Sequence, residues 1–316
     1  MAQFKRILVV IDPTATEQPA MARATWVAKK TGASIELFIC DYDQYLSGER
    51  FFDSSSMEKA RQSLIDTHKK RLEKLAQGIA ADGISVFVDA CWDHPLHDGI
   101  VRKVVRSAPD IVFKDTHYHA AIRRSIFSNT DWNLIRDCPA PLLLVKPQGF
   151  EEPLSIIAAV DPVHERDKPA ELDRKILDTA RTLSEQLGAD LHVLHGFDPS
   201  PAYAVSADSM AFPISAPINE MMEALKTKHE TAVEELLADQ NVPESRVHVL
   251  EGDTREVMIG LVEKLDADIV VMGAVARGAL QRLVLGSTAE HVLDHVPCDL
   301  LIVKPAGFET RVSTEA

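Results

Sequence analysis

An internal repeat restricts this chain more than any other feature. The segment Phe4–Pro13, FKRILVVIDP, returns as Leu154–Pro162, LSIIAAVDP; Cys138–Phe150, CPAPLLLVKPQGF, returns as Val296–Phe308, VPCDLLIVKPAGF. Matches at both ends of a stretch of about 150 residues define two equal units, each of ordinary domain size. The units are placed at 1–150 and 151–310.

Within each unit, short apolar runs alternate with amphipathic stretches. Ile7–Ile11, Ser34–Cys40, Ser85–Ala90, Asp110–Lys114 and Leu142–Lys146 read as strands rich in Val, Ile and Leu. Their counterparts are Ser155–Val160, Asp190–His195, Arg246–Leu250, Ile269–Gly273 and Leu300–Lys304. Helical periodicity fills the gaps, as in Pro19–Thr31, Met57–Ala81, Leu172–Leu187 and Glu220–Asp239. Strands that are apolar throughout are covered on both faces, which requires a parallel sheet with helices on each side. The expected fold is α/β: two tandem open five-stranded parallel sheets, Rossmann-like, with right-handed crossovers. Ligands of such sheets bind beyond the carboxyl ends of the strands, where the strand order reverses.

Charge narrows the partners. Residues 1–150 hold 20 Lys and Arg against 18 Asp and Glu; residues 151–316 hold 14 against 30. So acidic a second half argues against nucleic acid, whose binding rests on a basic face. A polyphosphate would need local help from backbone amides, a few basic side chains or a metal ion. No apolar run approaches the roughly 20 residues of a membrane span. Four scattered cysteines, Cys40, Cys91, Cys138 and Cys298, form neither a disulfide framework nor a Cys-x-x-Cys zinc pair. No signal-peptide layout precedes the first strand, and the expected location is the cytoplasm.

After its fourth strand the second unit carries Met272-Gly-Ala-Val-Ala-Arg-Gly-Ala-Leu-Gln-Arg-Leu-Val-Leu-Gly-Ser-Thr288. Gly273 and Gly278 allow the backbone to bend and approach a ligand. Gly286, Ser287 and Thr288 put free N–H groups and hydroxyls at a helix start, an anion site. Arg277 and Arg282 add charge.

With these residues the sequence resembles the universal stress protein family, whose nucleotide-binding members carry Gly-x2-Gly-x9-Gly-Ser/Thr at this point. Here the pattern reads Gly273, Ala276, Gly286, Ser287, so three of four positions agree. Asp-Pro after strand one and Val-Lys-Pro in strand five are similar to the tandem, E-type branch of that family, over essentially the whole chain. The resemblance implies an adenine nucleotide, ATP or AMP, with Asp161 by the adenosine and Gly196 near the base. Met272, Gly273, Ala276, Gly286, Ser287 and Thr288 would then surround ribose and phosphates. Alanine at 276 costs on the order of 1 kcal/mol if that residue needs a positive φ, which weakens binding more than it abolishes it.

The matching loop of the first unit runs from Phe113 to Thr130. Lys114 stands for Gly273, His117 for Ala276, and Ser128-Asn129 for Gly286-Ser287, with one residue extra. Three side chains project where backbone would cradle phosphate, so this unit is not expected to bind ATP in the family's way. His117 and His119 flank Tyr118 and point to one side of an extended loop. With His94, His97, Asp12 and Asp41 near the same sheet edge, they are candidates for zinc. Two insertions, Tyr42–Ser56 and Pro199–Asn219, are long enough to serve as lids or binding elements.

Three readings stay open. The first is a stress-response or regulatory module with its nucleotide in the second unit. The second is a slow ATPase with Mg²⁺ on Asp161 and Asp253, although no P-loop or Gly-x-Ser-x-Gly elbow is present. The third is a carrier of a small apolar or conjugated metabolite. The resemblance further implies that the units pair through their last strands as an intrachain pseudo-dimer, and a homodimer of chains is expected.

Overall fold

The structure, a computed structural model, describes residues 3–47, 54–119, 124–126, 128–163, 171–200, 218–274 and 295–313; for 117–119 and 124–126 it gives the backbone. The first unit runs β1 (Arg6–Val10), α1 (Pro19–Thr31), β2 (Ser34–Asp41), α2 (Ser54–Ala80), β3 (Val86–Trp92), α3 (Leu96–Ser107), β4 (Ile111–Asp115). A short hairpin follows, β5 (His117–His119) with β6 (Arg124–Ile126), then α4 (Asn129–Asp137) and β7 (Leu142–Val145). The second unit runs β8 (Ser155–Ala159), α5 (Glu171–Leu187), β9 (Asp190–Phe197), α6 (Ile218–Leu237), β10 (Val247–Glu251), α7 (Thr254–Leu265), β11 (Ile269–Gly273), β12 (Asp299–Val303).

Local chemistry explains the helices. Pro19 occupies the first turn of α1, where its missing N–H costs nothing, and Gly32 ends the helix at φ +70°. Between them Ala20, Ala24, Val27 and Ala28 form one buried stripe. In α5 the stripe is Leu172, Ile176, Ala180, Leu183 and Leu187. α4 opens on a capping box, Ser128 with Asp131.

Each unit contributes five parallel strands, as expected, and the two sets join edge to edge. The strands form one ten-stranded sheet, β10-β9-β8-β11-β12-β7-β4-β1-β2-β3, parallel throughout apart from the central pair. There β12 runs antiparallel to β7, with Leu300, Leu301 and Ile302 opposite Leu144, Leu143 and Leu142. The last strands do pair, as the pseudo-dimer requires. Because the residues that pair at the seam are all apolar, joining the two edges leaves neither exposed. Two hydrophobic cores result, one on each face, and each continues across both units.

The repeated Val-Lys-Pro gains a role at this seam. Lys146 Nζ donates to the Val296 carbonyl at 2.8 Å, and Lys304 Nζ donates to the carbonyls of Ile135 (2.5 Å) and Arg136 (2.9 Å). Each buried lysine thus crosses to the other unit, and Lys304 takes up carbonyls at the end of α4, its negative pole. Burial pulls Lys304 down to about 8. A second buried tie is asymmetric: Arg23 of α1 meets Asp299 of β12 at 2.7 Å, while the repeat puts Pro141 at the position matching Asp299.

Candidate functional site

In the second unit the strand order reverses between β8 and β11, so their carboxyl ends diverge there. Gly273 ends β11. A Cβ built on it would lie 2.6 Å from Leu172 Cδ2 and 3.2 Å from Ile176 Cδ1, so the first turn of α5 closes directly over the bare backbone. Met272, its neighbour, faces the opposite core. Gly196, near the end of β9, is bare for a similar reason: its Cβ would meet Val257 Cγ2 at 2.8 Å. Both glycines are therefore fixed by helix packing, in addition to any ligand. Ala276, Arg277, Gly278, Arg282, Gly286, Ser287 and Thr288 lie outside the described residues, as does most of the Pro199–Asn219 insertion.

Asp161 follows β8. Its N–H donates to Asp173 Oδ1 at 3.0 Å, and its half-exposed carboxylate stands 3.9 Å from His195 Nδ1. His195 is a feature the sequence reading passed over as part of an apolar strand. It is almost completely buried, with Nδ1 3.1 Å from the Val160 carbonyl and Nε2 2.7 Å from His229 Nδ1. A carbonyl only accepts, so His195 carries its proton on Nδ1, and His229 Nδ1–H donates to His195 Nε2. The His229 ring lies between those of His195 and Phe197, at centroid distances of 5.0 and 4.5 Å. Burial, then the adjacent His195, hold His229 below the usual imidazole range. Strand parity could have flagged His195, but its partner on α6 is 34 residues away and has no sequence signal.

Asp253 does not stand free for a metal. It caps α7, accepting from Arg255 N at 2.9 Å, and the Arg255 guanidinium grips both its oxygens at 3.0 Å. That grip lowers its carboxyl to about 2.

The first unit has a cavity of about 520 Å³ at its own reversal, between the ends of β1 and β4. Its polar wall is Asp12, Glu17, Lys114, Asp115, Thr116 and Ser128. The strand register corrects the sequence alignment here by one residue. Asp115 faces Val145 as Gly273 faces Val303, so Asp115, and not Lys114, takes the place of Gly273. Lys114 takes the place of Met272. Counted from Asp115, Ser128 falls where Gly286 stands, so the two loops are equal in length and the extra residue disappears with the one-residue shift.

Neither side chain is available to phosphate. Lys114 Nζ is paired with Asp131 Oδ1 at 2.5 Å, and Asp131 is wholly buried. Asp115 Oδ1 accepts from Ala20 N–H, at the start of α1, at 2.5 Å, while its buried Oδ2 has no hydrogen-bond partner. Burial pushes the Asp115 carboxyl up to about 6, against the opposing pull of the Ala20 amide. Because that value exceeds the unfolded one, about 3.9, the folded chain holds the extra proton in between, and stability falls as pH rises from about 4 to about 6. Asp115→Asn keeps an acceptor for Ala20 and removes the charge. It is expected to gain roughly 1–2 kcal/mol over the native chain at pH 7 and nothing at pH 4, read from urea unfolding at both values.

A reciprocal exchange separates the two units. Cys40 occupies in β2 the place of Gly196 in β9, and Gly99 occupies in α3 the place of Val257 in α7. Where the strand carries a side chain, the helix has none. A Cβ on Gly99 would lie 2.5 Å from Cys40 Sγ.

The zinc expectation finds no support. Among the described residues no group of three or more His, Cys, Asp or Glu converges as a metal site. His117 and His119 lie on the β5 strand of the hairpin, opposite Ile126 and Arg124, and their side chains are outside the description. His94 stacks on Tyr42 at 4.1 Å, and His97 lies 3.2 Å from Asp98, so the neighbouring imidazoles are engaged apart from one another.

Among the described residues no helix is long and apolar enough to cross a membrane. Comparison with known proteins matches the sequence model of the universal stress protein family to residues 3–146 and 156–304. Universal stress protein E of Salmonella typhi is 30% identical over 316 residues, covering 100% of this chain and 99% of its own. Universal stress protein E of Escherichia coli K12 is 29% identical over the same length, with 98% of its own covered. Among solved structures, a protein of unknown function from Pseudomonas aeruginosa PAO1 superposes with a TM-score of 0.70 at 26% identity, covering 96% of this chain and 93% of its own.

Proposed function

The chain belongs to the universal stress protein family, in tandem form similar to universal stress protein E, and from that premise we propose that its C-terminal unit binds ATP or a related adenine nucleotide. The N-terminal unit, 1–150, has in this reading a changed ligand site, and 151–310 keeps the nucleotide loop. The observation that carries the reading is the contrast at the two strand reversals. In the second unit β11 ends on Gly273, and the loop beyond it retains Gly286 and Ser287 of the family's binding pattern. In the first, a carboxylate replaces that glycine, and Glu17 shares its cavity wall. Like charges at a few ångströms repel a phosphate by about 1 kcal/mol or more each, increasingly so as water is excluded.

Asp161 and Gly196 would then flank the adenosine. Gly273, Ala276, Gly286, Ser287 and Thr288 would surround ribose and phosphates, with Met272, Arg277 and Gly278 beside them. Backbone amides and hydroxyls supply the phosphate contacts that an acidic unit cannot provide through bulk charge.

Two variants at matching positions test this. Titration with ATP and AMP is expected to show binding to the native chain and to Asp12→Ala, and at least about tenfold weaker binding to Asp161→Ala, the equivalent of one charged hydrogen bond. An equal loss in Asp12→Ala, or no binding by the native chain, overturns the assignment to the second unit.

A further inference from the structure

Cys40 and Cys91 stand opposite each other in the register of the parallel strands β2 and β3, one residue before each strand ends. Register partners point to the same face of a sheet. Both side chains accordingly join the core between the sheet and α3, on the same face and side by side. Adjacent strands run about 4.8 Å apart, inside the Cα separation of about 4.4–6.8 Å that a disulfide spans. Both residues are free thiols here, as are Cys138 and Cys298.

From this juxtaposition we propose that Cys40 and Cys91 are a redox modification site, converted by a peroxide into a reversible disulfide on the wall of the N-terminal cavity. The two thiols differ in access. Cys91 is half-buried and meets the oxidant first; Cys40 is buried, with Asp41 and Asp93 beside it opposing its thiolate. The Cys91 thiolate attacks one oxygen of hydrogen peroxide and breaks the O–O bond; the hydroxide released takes up a proton as water. The Cys91 sulfur is then a sulfenic acid. Cys40 sulfur displaces the hydroxyl from it, and that hydroxyl leaves with the Cys40 proton as a second water. Two thiols have lost two electrons to the peroxide, and one S–S bond has formed.

Two consequences follow from the packing. Cys40 lines the cavity, and its sulfur fills the space that Gly99 leaves on α3. Drawing that sulfur toward Cys91 alters the cavity wall, so the oxidation state of the pair is felt at the site that distinguishes the first unit. The bond would also lie beside the half-buried Cys91, where it stays open to reduction by cellular dithiols.

The test uses the full-length chain without nucleotide, so its outcome is independent of the second unit. After treatment with hydrogen peroxide, remaining thiols are blocked with N-ethylmaleimide in denaturant, and the intact mass and peptides are measured. The expected result is two maleimide adducts in place of the untreated chain's four, on a chain two hydrogens lighter, a peptide joining Cys40 to Cys91, and at least tenfold less labelling of this pair than of Cys138 and Cys298. Dithiothreitol should reverse all three. Cys91→Ser should abolish the mass change. Full labelling of both residues, a bond to a second chain, or over-oxidised Cys91 with Cys40 still free would each overturn the proposal, and the native chain alone suffices to reveal them.

Discussion

Asp299→Ala is expected to destabilise the chain by about 3–5 kcal/mol, the usual cost of leaving a buried charge without its partner. Asp299 begins β12 and is 2% exposed; its Oδ2 lies 2.7 Å from Arg23 Nη1, and its Oδ1 accepts the Lys146 N–H at 2.9 Å. Arg23 also donates to the Gln148 carbonyl and covers the Phe150 ring, with its guanidinium carbon 3.5 Å from the centroid. Burial lowers Arg23 from its ordinary value and raises Asp299 to about 7, each opposed by the other's charge. Truncation would strand the guanidinium at the seam and free the Lys146 amide as well. The melting temperature should fall by roughly 10 °C in calorimetry. Converting both partners to apolar residues, Arg23→Met with Asp299→Leu, should recover most of the loss, because the desolvation penalty disappears with the charges. If Asp299→Ala melts within a degree or two of the native chain, the tie between units lies elsewhere, in the β7–β12 pairing and the lysine caps.

The second large effect belongs to Asp131. Its side chain is wholly buried and performs two tasks at the start of α4. Oδ2 accepts from Ser128 N at 2.8 Å and Ser128 Oγ at 2.9 Å, completing the capping box; Oδ1 neutralises Lys114 at 2.5 Å. Asp131→Ala removes a cap, worth about 1 kcal/mol, and leaves a largely buried lysine unpaired, for a combined loss of about 3–4 kcal/mol in urea unfolding. Adding Lys114→Met should return the larger share. A double variant no more stable than Asp131→Ala alone would show that the cap, and not the ion pair, carries the energy. The same experiment bears on function, since it asks whether Lys114 is held by Asp131 or is free to meet a ligand in the cavity.

Much of this architecture is legible in the chain itself. Apolar strands in matched order specify ten parallel-type strands, and the repeated LLLVKP and LLIVKP mark the last strand of each unit, whose joining only the family resemblance implied. Asp161 and Gly273 fall at the reversal of strand order, and Gly196 near the end of the neighbouring strand β9. Other features are not legible. The place of Asp115 depends on strand register, in which it faces Val145 as Gly273 faces Val303. His229 reaches His195 from a helix whose periodicity says only that it is amphipathic. The pairing of Cys40 with Gly99, mirrored by Gly196 with Val257, becomes visible only when helix and strand are seen in contact.

The sequence by itself therefore determined the two-unit α/β plan, the family, and the loss of the glycine-rich loop in the first unit. These follow from local composition and from repeats, which every residue carries wherever it ends up in space. The tertiary structure decided how the units share one sheet, that each Val-Lys-Pro lysine serves the opposite unit, and that a carboxylate stands at the first unit's reversal. Those outcomes join residues as far apart as 23 and 299. They depend on which apolar edge meets which, and that is settled by burial of the whole sheet, not by any short segment of it.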